Sequence, residues 1–143
     1  MTQKFRCDCP FTSAIDILGD KWMLVIVKQM LLENKTTFKD FTESDEAIAT
    51  NILSTKLNLL EELEINTKTH PPNNINSILF VLTELGLALT PLLVELAIWS
   101  DKHLREFHPE IQDGDGLKFI RSNKEGFINN IINSYRQKWT AIQ

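Results

Sequence analysis

Thr50, Asn51, Ser54, Thr55 and Asn58 line one side of the segment Ala49–Leu63, ATNILSTKLNLLEEL. Ile52, Leu53, Leu57, Leu60 and Leu63 recur at helical spacing on the other. Asn, Ser and Thr hydrogen-bond without charge, which suits both base edges and phosphate oxygens. The acids Glu61, Glu62 and Glu64 lie past the midpoint. An acid-free amino-terminal half remains, and its free N–H groups and partial positive charge can approach a polyanion. A solvated helix face is the commoner role for such residues, but such a face usually carries Lys and Glu. The segment reads as a DNA recognition helix in which Asn51 and Thr55 address bases and Lys56 grips a phosphate. Lys39 and Lys68 are further phosphate candidates.

The second chemically able group is the thiol pair Cys7 and Cys9, with Pro10 directly after. Their spacing is too short for an easily formed unstrained bridge to each other. At a helix start the dipole favours thiolate, with Arg6 expected to help, so Cys9 and Cys7 are candidate redox-sensing residues. The alternative for Cys9 is a small hydrophobe packed beneath the first helix. A metal site on Cys7-Asp8-Cys9 would draw on His70, His103 or His108, none at a recognised ligand spacing, and none is expected. The chain has no glycine-rich phosphate loop, no Gly-x-Ser-x-Gly and no His-Glu-x-x-His. The expectation is a protein that is not an enzyme and needs no cofactor.

The elements that must position these groups follow from pattern and punctuation. A chain of 143 residues with 43% hydrophobic content has room for an ordinary core. Pro10 and Gly19 bracket a short first helix, and Asp20 caps a second whose WMLVIVKQMLL is apolar nearly all round, as a buried central helix must be. Thr37-Phe38 reads as a brief strand and Phe38 with Phe41 as anchors of a short helical segment. The recognition candidate follows, and INTKTH, PPNN and INSILFVL read as a hairpin with a tight polar loop. A helix restarts at Thr83-Glu84, with Pro91 forcing a kink or a fresh start. Leu87, Leu89, Leu92, Leu93, Leu96, Ile98 and Trp99 supply more apolar bulk than one small core face uses, so a homodimer is expected.

Residues 105–126 read as irregular. The segment after them places Phe127, Ile128, Ile131, Ile132, Tyr135, Trp139 and Ile142 on one helical face. That face either closes its own chain's core or is exchanged across a dimer. No apolar run approaches the roughly 20 residues of a membrane span, and MTQKFRCDCP lacks the apolar core of a signal peptide, so a cytoplasmic protein is expected.

The order of helices followed by a hairpin and another helix is that of a winged helix-turn-helix, mainly α with a small β-hairpin wing. Several strings resemble the HxlR-type bacterial transcription regulators. They are Cys9-Pro10, Asp16 to Gly19 followed by Lys21-Trp22, Phe38 with Phe41, and Leu53, Leu57, Leu60 and Lys68. Pro71-Pro72, Leu82 to Gly86, and Trp99 complete the set. The resemblance covers about residues 9–104, taken as the DNA-binding domain, with 105–143 as a carboxy-terminal extension ending in an amphipathic helix. It implies dimers on double-stranded DNA at a pseudo-palindromic operator, and a response to thiol-reactive compounds through the Cys before the Pro, here Cys9. Glu64 stands where such proteins carry Gly, so the turn after the recognition helix is expected to take a different shape. The wing has no charged side chain from Thr69 to Leu82, which leaves Asn73 and Asn74 as its hydrogen-bonding candidates. A net charge of −4, with the acids concentrated in residues 35–68, keeps a second possibility open: a winged-helix protein-interaction module that has lost DNA binding.

Overall fold

The computed structural model describes residues 4–142, with side chains through Thr140, so the side chain of Ile142 lies outside the described residues. One compact unit runs to Gly86 and a second begins at Leu87.

The first unit begins with α1, Pro10–Leu18, and α2, Met23–Leu32. The Asp20 carboxylate starts α2 by accepting the backbone N–H groups of Trp22 at 2.7 Å and Met23 at 3.0 Å. The apolar wrap of α2 buries Met23, Ile26, Val27, Met30 and Leu31. A short α3, Phe38–Thr42, and α4, Thr50–Glu62, follow, with Phe41, Leu53, Leu57 and Leu60 all buried. Strands β1, Asn66–Thr69, and β2, Leu79–Leu82, pair antiparallel with Asn66 opposite Leu82 and Thr69 opposite Leu79. The ring of Phe41 meets Phe80 of β2 edge-on at 6.2 Å, joining α3 to the hairpin.

Thr37-Phe38 is not a strand. Thr37 caps α3: its hydroxyl accepts the Asp40 N–H at 3.1 Å, and the Asp40 carboxylate accepts the Thr37 N–H at 3.0 Å. This reciprocal box outweighs the β preference of Thr and Phe, and β2 makes one backbone bond here, from the Phe80 N–H to the Thr36 carbonyl at 2.8 Å.

After β2, Thr83 caps the short α5, Glu84–Leu87, by accepting the Gly86 N–H at 3.2 Å. A Cβ at position 86 would lie 2.4 Å from the Ile65 carbonyl oxygen, so only glycine lets this turn approach the hairpin.

In the second unit Pro91 sits in the first turn of α6, Thr90–His103, and makes a fresh start rather than a kink. The region read as irregular contains α7, Asp115–Ser122, before α8, Lys124–Ile142. The eight residues of α7 hold only Leu117, Phe119 and Ile120 as apolar signal, and its Gly-Asp-Gly start reads as a loop. Val94, Ile120 and Ile128 form a small core walled by Ala97, Ile98, Leu117, Phe127 and Ile132. The terminal helix therefore docks on α6 and α7 of its own chain. Tyr135 and Trp139 are buried too.

An ion cluster ties this unit together. Arg121 donates to both Asp101 oxygens, at 2.8 and 2.6 Å, and to Asp113 at 2.8 Å. Arg105 bonds Asp101 at 2.9 Å and holds the carbonyls of Ile111 and Gln112 at 2.9 and 3.1 Å. Arg121 first and Arg105 second hold the Asp101 carboxyl far below the ordinary carboxylate range.

Candidate functional site

The amino-terminal half of α4 stands free. Thr50, Asn51, Ser54, Thr55 and Asn58 are all exposed, while Leu53, Leu57 and Leu60 fasten the opposite stripe to the core. The helix is capped by Ala49, which has no side-chain acceptor, and its first turn carries no acid. Its first N–H groups therefore remain open to an external anion. The Thr55 hydroxyl donates to the Asn51 carbonyl at 3.0 Å, so toward a base edge it acts as an acceptor. Asn51 keeps both amide functions, the arrangement that pairs bidentately with adenine.

The segment before α4 is set by charge. Glu46 takes hydrogen bonds from Lys28 and from the buried Gln29, the latter at 2.7 Å, which fastens the turn to the middle of α2. Burial raises the Glu46 carboxyl, but Lys28 and Gln29 outweigh it and hold the group below its ordinary value. The next residue, Ala47, takes the left-handed conformation with φ 54°, and the chain turns there into the α4 cap.

The three lysines have different surroundings. Lys56 is half-buried and its ammonium lies 2.8 Å from the Asp20 carboxylate. Lys68, on β1, faces Glu61 at 3.6 Å. Lys39 is the most exposed, and its contact with Glu43 is loose, at 3.9 Å.

The wing loop, residues 70–78, is longer than the expected tight turn. The His70 Nδ1–H donates to the Ser77 carbonyl at 2.7 Å. The Asn74 amide donates to the Ser77 hydroxyl at 2.8 Å and accepts the Asn76 N–H at 3.1 Å. Asn74 thus builds the loop, whereas Asn73 is exposed at its tip beside Ile75.

Cys7 and Cys9 are both free thiols, exposed and half-buried respectively. Cys9 occupies the cap position of α1, and its thiol closes no cap hydrogen bond. Its pKa nonetheless falls below the ordinary value, because the Thr12 backbone N–H, then the Thr12 hydroxyl and the Phe11 N–H, favour the thiolate. Arg6 does not take part. Its guanidinium and backbone N–H are committed to Asp16, at 2.6 and 3.1 Å, which anchors the segment before α1 instead.

The HxlR-like helix-turn-helix family model matches residues 17–108, from the end of α1 through the wing to just past α6. The chain belongs to the HxlR-like helix-turn-helix family. The regulator YodB of Bacillus subtilis is 32% identical over 95 residues, which is 66% of this chain and 84% of YodB. The structure of reduced YodB superposes with a TM-score of 0.56 at 30% identity, covering 68% of this chain and 95% of that one. YodB has also been crystallised bound to quinone. The PA1607 structure, also 30% identical, gives a TM-score of 0.64 over 76% of this chain and 73% of its own.

As an HxlR-like protein the chain is a DNA-binding transcription regulator. Among the described residues no helix is long and apolar enough to cross a membrane. In this HxlR-like fold, two partners of the candidate site residues are not expected from the sequence. Thr12 stands three residues after the cap cysteine, where a helix amide and a hydroxyl reach back to the cap side chain, and that spacing was a usable signal. Asp20 is 36 positions from Lys56 and becomes its partner only through folding.

Proposed function

We propose that this chain regulates transcription as a homodimer that reads a pseudo-palindromic operator and responds to thiol-reactive compounds through Cys9, with Cys7 as an accessory thiol. The observation that carries the reading is the exposed, acid-free, uncapped start of α4. Asn51 and Thr55 contact base edges, while Thr50, Ser54 and Asn58 hydrogen-bond along the groove wall. Phosphate contacts come from the open N–H groups of α4 and from Lys39. Lys68 and Lys56 each first have to leave a carboxylate. Asn73 is the wing's contribution and Asn74 shapes the loop that presents it. Residues 9–104 form the DNA-binding domain, and 105–143 an extension that pads one side of α6.

Pairing is supported by apolar side chains left outside. Leu92, Leu96 and Trp99 on α6 are exposed at helical spacing, as are Phe11 and Ile15 on α1. A redox response is supported by the lowered Cys9 pKa and by the quinone-bound form of YodB. A thiolate that gains an adduct or a bond to another thiol at the start of α1 alters how two recognition helices are held relative to each other.

Footprinting upstream of the chain's own gene, with and without diamide, tests the reading. The expected result is two protected half-sites about one helical turn apart, lost or altered on oxidation in the parent and unaffected in Cys9→Ser. Absence of protection even at low salt would favour a protein-interaction module.

A further inference from the structure

Lys56 is the single basic residue of α4. Its ammonium lies 2.8 Å from Asp20 Oδ2, with 22% of the lysine side chain and 36% of the aspartate side chain exposed. Asp20 is itself fixed, because Oδ1 accepts the N–H groups of Trp22 and Met23 at 2.7 and 3.0 Å. The carboxylate cannot swing away without uncapping α2. The cation of the recognition helix is thus held by an anion built into the start of the neighbouring helix, at a distance where both charges are spent on each other.

We infer that Asp20 sets the phosphate dependence of the DNA interface: by neutralising Lys56 it withholds the recognition helix's own charge from the phosphate backbone. Discrimination is then left to the neutral side chains of α4. The consequence follows from how the two kinds of binding are powered. Non-specific affinity is almost wholly phosphate attraction with counterion release, whereas base readout comes from hydrogen bonds that unrelated sequence does not offer. Cancelling one positive charge at the helix that enters the groove removes one phosphate contact from both kinds of binding and leaves base contacts as a larger part of the specific one. The cost is lower total affinity, in keeping with a chain of net charge −4. This inference rests on the DNA-binding reading above.

Asp20→Asn separates charge from capping, since asparagine offers the same acceptor to the α2 amides; Asp20→Ser does so with a second cap side chain. The full-length parent, Asp20→Asn, Asp20→Ser, Lys56→Gln and the Asp20→Asn/Lys56→Gln double variant are titrated over a range of salt. The probes are the promoter fragment upstream of the chain's own gene and an unrelated duplex of equal length. Freeing Lys56 should tighten binding to the unrelated duplex and steepen log K against log salt by about 0.9 per chain. The ratio of promoter to unrelated affinity should stay near the parental value, because both duplexes gain the same phosphate contact. Lys56→Gln alone should weaken binding to both duplexes, because it bares the Asp20 carboxylate, and the double variant, which lacks both charges, should return to the parental slope.

An unchanged slope in both Asp20 variants overturns the inference. So does a flatter slope in the double variant than in the parent, which would mean that Lys56 already sits on a phosphate, or a gain over the parent that survives in the double variant. If the parent binds neither duplex at low salt, the DNA-binding reading fails and takes the inference with it. If the parent prefers the promoter fragment while the slopes stay equal, only the inference fails.

Discussion

The Ile65 backbone N–H donates to the Leu60 carbonyl at 2.9 Å across the end of α4, and between them Glu64 adopts the left-handed conformation with φ 61°. With the Glu64 N–H bonded to the Glu61 carbonyl at 3.0 Å, this is the paired closure normally made with glycine, sealed by the buried side chains of Leu60 and Ile65. The turn therefore keeps the shape that glycine would give, contrary to the expectation from the sequence, and the glutamate bears the steric cost. Glu64→Gly should stabilise the fold by about 0.5–1 kcal/mol, the relief of a left-handed non-glycine residue less the added freedom of the unfolded chain. Urea unfolding checks this, and equal or lower stability would mean that the Glu64 side chain makes up for its backbone.

Thr12 is the neighbour that most favours the Cys9 thiolate. Its N–H and hydroxyl favour the thiolate, so the Cys9 pKa lies below the ordinary thiol value and reaction begins at lower pH. Thr12→Val removes the hydroxyl and keeps the shape, so the pH profile of Cys9 alkylation, measured in a Cys7→Ser background, should move upward. Arg6→Ala should leave it in place, because Arg6 is spent on Asp16. A profile that moves with Arg6 and not with Thr12 would reverse this assignment.

On the DNA-binding reading proposed above, Asn51 is the residue expected to address a base edge. Asn51→Ala should cost on the order of 1–3 kcal/mol at the operator and relax preference at the base it pairs with. Its exposed position in the first turn of α4 predicts little change in thermal unfolding. Gel-shift titration against single-base operator variants reads both effects, and an unaltered preference would take Asn51 out of the readout.

Much of this arrangement was legible because it depends on local pattern. The apolar stripe of α4, the wrap of α2, the Pro-Gly bracket of α1 and the hairpin strands are each written within a dozen residues. What failed needed either side-chain chemistry or tertiary contact. Thr37-Phe38 carries strand-forming residues, yet the Asp40 carboxylate three positions on turns the segment into a helix cap. α7 is too short for its three apolar residues to show a period, and it is held by Arg121, whose partner Asp101 lies in α6. Closeness in sequence points Arg6 toward Cys9, whereas Asp16, one helix length away, takes it.

The Asp101 cluster predicts a pH dependence. The folded carboxyl titrates far below its unfolded value of about 3.9, so its stabilisation is fully present above that value and is lost as pH falls through it toward the folded pKa. Asp101→Asn should therefore unfold at lower temperature than the parent at neutral pH, and the gap should narrow progressively below about pH 4. A guanidinium stays charged throughout this range, which fixes the sign. A gap that is constant down to strongly acid pH would show that Asp101 acts by shape alone.

The apolar face of α6 supplies the test of assembly. Ala97 and Ile98 pack on the core made with α7 and α8, while Leu92, Leu96 and Trp99 remain 40, 45 and 55% exposed on the same helix. A solvent-facing stripe of that kind, continued over two turns, is what a self-complementary two-fold contact needs. Because Leu96 is not part of its own chain's core, Leu96→Asp should leave the monomer folded, with unchanged circular dichroism. Two opposed carboxylates at a paired face would repel, so sedimentation should shift the variant toward the single chain. Two linked half-sites bind far more tightly than one, so operator affinity should fall much further than the dimer constant alone suggests. A variant that sediments as the parent does would place the pairing surface elsewhere, with the exposed Phe11 and Ile15 of α1 as the next residues to change.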